Sequence, residues 1–496
     1  MATTNEKLVI LEDNLSQPMG AGASSDIAYI PGVTFLKDEA DKPVNINVPI
    51  LCNTVDDFKT YFGDTPAIAT TVAYNYGSHT IKANSEDISY WYAYELLNAG
   101  ISVYYEPIVA DTAELSANKT ELTAEKDQLD LKIKELKKIL TTGTVDVNPN
   151  AAKEKEALEK RKAEIDVELS LITAEEALSP VEYFYKHLGD ALDEITDMGE
   201  YSIKYITTGG YPVFTAYSEE LNNPLAVKLI GTAKKRGDAV AIIDHGDNGD
   251  LPLGANSTKS IYNAVSRTNW GEDICTFGTI FTPWATYSCP GAEKKISFPA
   301  SFAYLLCLAK AIKTSPNYLA MAGITRGQVP YIQKLDVKKP LTNFIAEDYQ
   351  PRYGDATHRV SMNAITEIKP YGLTLWGNRT LEEISDKGTT AMAMLNTRNM
   401  VSDIKKVAYS TAKKLMFEQD GIVLWNRFTA GISPLLEQLK LGRGISNYAI
   451  IRNKTKYNGR PLDRGELSAT IKIYPVAAIE YFEITVAIAD EEVSMS

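Results

Sequence analysis

Apolar and polar positions alternate with a period of two near the C-terminal end of this chain, and a short apolar run stands near the other end. Toward the C-terminus Phe482, Ile484, Val486 and Ile488 fall on one side and Tyr481, Glu483, Thr485 and Ala487 on the other. That is the period of a half-buried β-strand. Near the N-terminus the short run Lys7–Glu12, with Leu8, Val9, Ile10 and Leu11 at its centre, leads into SQPMGAGASS, a flexible tether by composition. Each terminal strand needs a neighbour for its backbone hydrogen bonds, and neither has one next to it in sequence.

Between the ends, strand and helix patterns take turns. VNINVPILCNTVDDFKTYFG reads as a buried strand ending near Cys52 and a short amphipathic helix, capped by Asn53 or Thr54 and closed by Gly63. DISYWYAYELLNAG reads as a longer helix closed by Gly100, and ISVYYEPIV as the next strand. After an interruption the pattern resumes with YSIKYITTGG, a helix near PLAVKLIGTAKKRG, the buried strand of AVAIIDHGDNGD, a strand FGTIFTPWATYSC and an apolar helix ASFAYLLCLAKAIKTS. Such alternation predicts an α/β layer. From about residue 330 the pattern changes to two strands (HRVSMNAITEI and YGLTLWGNRTL), two helices (roughly 391–418 and 422–441) and a strand group from Tyr448 onward.

The interruption spans residues 111–178. Leu115, Leu122, Leu129 and Leu136 recur at seven, with Ile133 and Leu140 on the same seam. After the breaker TTGTVDVNPN, Leu158, Ile165 and Ile172 recur at seven, with Leu169. The spacing predicts an antiparallel helical hairpin inserted into the α/β unit. Its seam is thin, because Lys119, Lys126, Lys155 and Lys162 take the other seam positions. Ser179, Pro180 and Glu182 mark the start of a new helix with a capping box. The chain is thus multidomain, mixed α+β and α/β: tether 1–30, α/β segments 31–110 and 179–330, hairpin 111–178, a C-terminal domain 331–478 and a terminal strand 479–496.

Bulk properties narrow the partners. At 496 residues the chain exceeds one ordinary core. A net charge of −13 argues against non-specific binding to nucleic acid or anionic membranes. No apolar run approaches a membrane span, and the first residues lack a secretory pattern, so synthesis in the cytoplasm is expected. Cys52, Cys275, Cys289 and Cys307 show no CxxC spacing and read as buried thiols.

Candidate chemistry is sparse. Asp244, His245, Asp247 and Asp250 in DHGDNGD follow a buried strand, where α/β enzymes place ligands. Their spacing fails the calcium-loop pattern, and Asp and Gly also punctuate ordinary turns. A metal-dependent hydrolase using Asp244, His245 and Asp247 is the enzyme alternative. The four histidines form no HExxH or HxH pattern, and no GK[ST] phosphate loop exists. No catalytic residue, metal or cofactor is therefore assigned. In YGLTLWGNRTL, Trp376 is either a core residue or part of a contact surface, and Arg379 has the guanidinium fork that holds carboxylates across interfaces.

The order of segments resembles the sheath proteins of contractile phage tails and related contractile injection systems. The resemblance runs over about 450 residues through YIPGVTF, VPILCNTVDDFKTYFG, AYELLNAGISVYYEPIV, KKRGDAVAIID, TIFTPWATY, VSMNAITEIKPYGLTLWGNRTL, LNTRNMVSDIKKVAYSTAKKLMFEQD, Leu424–Trp425 and SNYAIIRNKT. The Trp376-Gly377-x-Arg379 signature is its strongest part. The hairpin has no counterpart to carry over, and ISFPASFAYLLCLAKAIKTSPNYL lacks the double proline and Gly-Val expected there. The resemblance implies a non-enzymatic structural protein of the virion, assembled in the host cytoplasm. Its copies would form stacked rings around an inner tail tube, meeting baseplate and tail terminator proteins. A C-terminal sheath domain would carry a sheet completed by terminal strands of neighbouring subunits, Leu8–Leu11 at one end and Phe482–Ile488 at the other. The sheath of a bacterial injection system or tailocin is implied equally.

Overall fold

The computed structural model describes residues 26–39, 42–68, 86–141, 149–214, 223–246, 257–272, 274–312, 316, 318–337, 360–384, 389–453, 456–457, 460–461 and 466–478. The terminal strand candidates Leu8–Leu11 and Phe482–Ile488, together with Asp247 and Asp250, lie outside these residues.

An eight-stranded sheet forms the body. Its strands are β1 (Ala28–Gly32), β2 (Ile50–Cys52), β3 (Val103–Pro107), β4 (Tyr205–Ile206), β5 (Val240–Ile243), β6 (Gly278–Thr282), β7 (Asn363–Ile368) and β8 (Gly372–Trp376). Their spatial order is β8-β7-β6-β5-β4-β1-β3-β2. The six inner strands are parallel, with registers such as Ala28↔Val103, Ala28↔Tyr205, Ile206↔Ala241, Ile242↔Thr279 and Asn363↔Phe281. The two edges are antiparallel, through Ile50↔Tyr105 and Ala364↔Trp376. Strands buried on both faces of a parallel sheet read as continuous apolar runs, and β5 is buried throughout.

Local sequence explains the helices that cover the sheet. In α1 (Val55–Phe62) the cap is Thr54, whose side chain accepts from the Asp57 N–H while Asp57 reaches back. Gly63 closes it at φ +90°, a value that favours glycine. Asp87 caps α2 (Ile88–Ala99), and Gly100 ends it in the left-handed region at φ +99°. The helix α5 (Pro180–Glu194) opens with the Ser179–Glu182 capping box and a proline in its first turn. Helix α2 packs against α8 (Ala300–Ile312), and α5 against α6 (Pro224–Arg236), each pair lying on strands of the sheet.

Between β3 and α5 stand α3 (Thr112–Thr141) and α4 (Pro149–Glu176). Leu129, Ile133 and Ile165 are buried on the seam, and the seam lysines reach across it. Lys119 pairs with Glu176, Lys126 with Asp166 at 2.6 Å and Lys162 with Asp130. Rising numbers on one helix meet falling numbers on the other, so the two run antiparallel. None of their side chains joins the core of the body.

Two features depart from the sequence reading. FGTIFTPWATYSC is not one strand. It breaks at Pro283, which has no N–H for a ladder, and Ala285–Ser288 pairs instead with Lys295–Phe298 and Ile332–Leu335 in a separate three-stranded sheet. The boundary placed near residue 330 is crossed by the main sheet, because β7 and β8 lie beyond it, β7 hydrogen-bonding to β6 and β8 to β7. A second core begins later. It joins Tyr318 to Met400, Ile404 and Ala408 of α9 (Leu395–Lys414), Phe428, Ile432, Leu436 and Leu439 of α10 (Ile422–Leu441), and Ile445.

Candidate functional site

The second core supports a short antiparallel sheet, β9 (Ile445–Asn453) with β10 (Ser468–Pro475). Tyr448, Ile450, Ala469, Ile471 and Ile473 turn toward α10. Among the described residues this sheet has two strands only, so each strand presents one unpaired edge. Two-stranded sheets are marginal by themselves, and open edges are templates for another strand. Its outer positions keep apolar groups in solvent, Ile451 at 40% exposure and Tyr474 at 54%. Phe417, in the turn between α9 and α10, is wholly exposed and sits at φ +65°.

This unit docks on the sheet at the amino ends of its strands. Asp26, Lys204, Asp238 and Phe277 lie just ahead of β1, β4, β5 and β6, and all four take part in the contact with α9. Lys204 Nζ lies 2.7 Å from Asp26 Oδ1 and 2.7 Å from Asp403 Oδ1. Burial alone would lower the Lys204 pKa, but the two carboxylates hold it above the ordinary value. Arg236 forks onto Asp238 and donates to the carbonyls of Ile195 and Tyr201. The Arg398 guanidinium stacks 3.5 Å from the centre of the Phe277 ring. Burial lowers the Arg398 pKa to about 10.

The WGNRTL segment straps the two parts together. Trp376 ends β8, half-buried against the core of the body, and Gly377 takes φ +144°. Asn363 grips the backbone of Arg379 on both sides: its Oδ1 accepts from the Arg379 N–H at 2.9 Å and its Nδ2 donates to the Arg379 carbonyl at 2.8 Å. Thr279 also donates to that carbonyl. The next links run to β6, Leu381 N–H to Gly278 O, and to the start of α9, Leu395 N–H to Asn378 O, with Asn378 Nδ2 donating to Asn396. Asn363, Asn378 and Thr279 therefore do work that sequence reasoning did not assign to them. A buried asparagine, Asn363, opening the strand NAITEI was the available signal.

The places where an enzyme of this topology would work are filled. Counting parallel strands only, the order reverses between β1 and β4, where doubly wound sheets open a ligand crevice. Here Asp87 occupies it, fully buried. Its Oδ2 accepts from Val33 N–H, Thr34 Oγ1 and Tyr105 OH, and its Oδ1 from Ser89 N–H, Ser89 Oγ and Tyr211 OH, at 2.6–3.2 Å. Burial, then the Asp87 charge, raises Tyr105 and Tyr211 well above the ordinary tyrosine range, so both stay donors. A Cβ on Gly32 would lie 2.1 Å from Ser89 Oγ, which leaves no space there for a larger residue.

Asp244 and His245 are likewise interior. Asp244 accepts from Thr208 at 3.2 Å and His245 bridges Thr282 Oγ1 and the Gly246 carbonyl. Burial raises Asp244 to about 7 and lowers His245 to about 4. Among the described residues no group of three His, Cys, Asp or Glu is placed to hold a metal ion. Cys52, Cys275, Cys289 and Cys307 are all buried free thiols.

Among the described residues, a sheet body with a closed crevice is clamped to a helix-backed sheet with open edges. In sequence the chain is similar to the tail sheath proteins of Vibrio phage KVP40 and Enterobacteria phage T4, 22% identical over 172 and 179 residues. Those stretches cover 35% and 36% of this chain but 24% and 25% of the relatives, so the match spans about a quarter of their length. In structure it matches a chain of the anti-feeding prophage baseplate, with a TM-score of 0.51 at 13% identity over 98% of this chain and 100% of the other. It also matches a chain of the contracted PVC sheath complex, an extracellular contractile injection system, with a TM-score of 0.50 at 13% identity and 98% coverage of both. The chain thus has a fold used in contractile sheath assemblies. No family model matches.

Proposed function

We propose that this chain is the subunit of a contractile sheath. The observation that carries the reading is the two-stranded sheet β9–β10, standing on its own core with open edges among the described residues. The segments Leu8–Leu11 and Phe482–Ile488 of neighbouring copies would add to those edges, with backbone hydrogen bonds giving strength and alternate side chains giving register. Head-to-tail contacts of this kind do not close on themselves and build helical stacks. The stack would surround an inner tail tube and meet baseplate and terminator proteins. It would be trapped in an extended form until the first ring is released, and its work would come from interface gained on contraction. The glycine-rich tether Ser16–Ser25 would let copies slide while remaining joined.

The relatives in sequence are phage proteins, and the structural neighbours come from a prophage baseplate and an extracellular contractile injection system, so virion and injection-system settings both fit. The hairpin α3–α4, outside the main core, would project from the sheath surface. Trp376, Gly377 and Arg379 would hold the sheet body to the C-terminal unit near the tube.

Negative-stain electron microscopy of the purified chain tests the reading. Long hollow tubes are expected from the full chain, and folded but unassembled subunits after deletion of residues 1–12 or 479–496. Persistent monomers from the full chain, with and without a tube template, would refute the sheath role. Long contractile tubes from either deletion would refute strand exchange at that end.

A further inference from the structure

The charge of this chain is unevenly placed. Residues 389–478 carry 14 Lys and Arg against 6 Asp and Glu, a net +8, in a chain of net −13. The remainder is therefore −21. The last 18 residues, 479–496, hold Glu480, Glu483, Asp490, Glu491 and Glu492 and no Lys or Arg. An acidic tail thus follows directly on a basic unit.

The basic unit displays a patch beside the root of that tail. Lys472 and Tyr474 on β10 and Val476 just past its end recur at every second position and are exposed. Where α10 gives way to β9, Lys440, Leu441 and Arg443 are exposed, Leu441 at 83%. The two groups meet where the Val476 N–H donates to the Gly444 carbonyl. Glu437, one turn back on α10, is engaged by the Tyr448 hydroxyl at 2.6 Å. Three cations around three exposed apolar side chains fit a segment with apolar alternation and acidic ends.

We propose that the patch is a charge address for the tail of a second copy, with Asp490, Glu491 and Glu492 meeting Lys440, Arg443 and Lys472. The second copy is chosen because strand exchange would extend residues 479–489, which contain neither glycine nor proline. At about 3.3 Å per residue, an extended stretch of that length would carry the three acids about 35 Å from their root, beyond the chain's own patch. Opposite charge then selects the tail and sets its direction, and apolar contact and backbone pairing hold it. The inference rests on strand exchange for the presence of the second copy.

The test uses the chain ended at Ala478 and a labelled synthetic peptide of residues 479–496, followed by fluorescence anisotropy. Binding is expected in 50 mM NaCl and at least tenfold weaker in 500 mM, because salt screens exposed charge. The combined change Lys440→Glu, Arg443→Glu, Lys472→Glu should weaken binding tenfold or more. A peptide with Asp490→Lys, Glu491→Lys and Glu492→Lys should lose binding to the unaltered chain and recover it on the reversed one. This peptide arm leaves the unaltered protein intact should the reversed chain misfold. Absence of binding to the folded chain, or binding indifferent to salt and to both reversals, would overturn the address. A full-length chain that stays monomeric and blocks the peptide would show self-docking, and would overturn it too. Tubes from the full chain alongside charge-indifferent binding would sink the address alone. Equally long tubes from the chain ended at Ala478 would sink strand exchange at this end as well.

Discussion

Lys204 Nζ lies 2.7 Å from Asp403 Oδ1, which joins the amino end of β4 to α9 through a fully buried cation. Asp26 holds the same cation at 2.7 Å, and it stands directly after the N-terminal tether. One ammonium therefore connects the root of the tether, the sheet body and the C-terminal unit. Buried ion groups rarely add net stability over apolar packing, but removing one partner leaves an uncompensated charge.

Lys204→Met strands the buried Asp26 and the partly buried Asp403 carboxylates and should cost about 3 kcal/mol. Replacing all three members with apolar residues (Asp26→Leu, Lys204→Met, Asp403→Leu) should recover most of that loss. Urea unfolding of both variants checks this. A single variant within 1 kcal/mol of the parent would mean that water or another group already neutralises the site.

Asn363 is the second joint. Its buried side chain satisfies both backbone groups of the half-buried Arg379. Leaving buried polar groups unmatched costs about 1–3 kcal/mol each. Asn363→Ala should therefore lower the unfolding free energy by about 2 kcal/mol or more. It should also raise hydrogen exchange at the first turn of α9, which the strap anchors. Unchanged exchange there would show that the strap does not position α9.

Much of this architecture was legible from pattern. The cap at Thr54, the capping box at Ser179 and the glycine stops at Gly63 and Gly100 rest on interactions within a few residues, and the heptad seam through Leu129 and Ile165 shows in its repeat of seven. Short-range chemistry writes itself into spacing. The clamp at Lys204 did not, because its partners lie 178 and 199 positions away and each reads alone as a surface charge. Asp87 was likewise taken as no more than the start of a helix, since its hydroxyl partners Tyr105 and Tyr211 arrive from other elements. The strand boundary at Pro283 was missed because apolar residues continue on both sides of it, although the proline itself was the marker. Trp376 drew attention as the rare residue of its motif, while the asparagines beside it make the ties.

The interior carboxyls give a signed pH effect. Asp244 and Glu106 are raised, mainly by burial, from the ordinary carboxyl range to about 7. A raised folded-state pKa means the native state binds the extra proton between those limits. Their stabilising contribution is present below pH 4 and is lost as pH rises toward and through 7. His245, lowered by burial to about 4, acts oppositely between pH 4 and the ordinary imidazole value. The Asp244 part is isolated by Asp244→Asn, which cannot titrate. Relative to the parent, this variant should gain stability from about pH 4 to about 7 and level off above that. A difference that stays flat with pH would show that Asp244 has an ordinary pKa.

The hairpin α3–α4 should be separable from the rest. Its buried side chains Leu129, Ile133, Ala151 and Ile165 touch each other's helices and stay apart from the core of the body. Its ion pairs are exposed, and such pairs contribute little. The described ties between its base and the body include Glu175 with Lys186 at 2.7 Å and with His187 at 3.5 Å on α5, both accessible to solvent. A chain with residues 113–177 replaced by a short Gly-Ser linker should keep the unfolding free energy of the body to within about 1 kcal/mol, as surface changes usually do. In the intact protein its amides should exchange by local opening, far faster than those of β5. Loss of body stability on excision, or equal protection of α3 and β5, would show that the hairpin folds as part of the body. Tubes that form without it would place it outside the contacts that build the stack, and failure to assemble from a stable excised chain would place it within them.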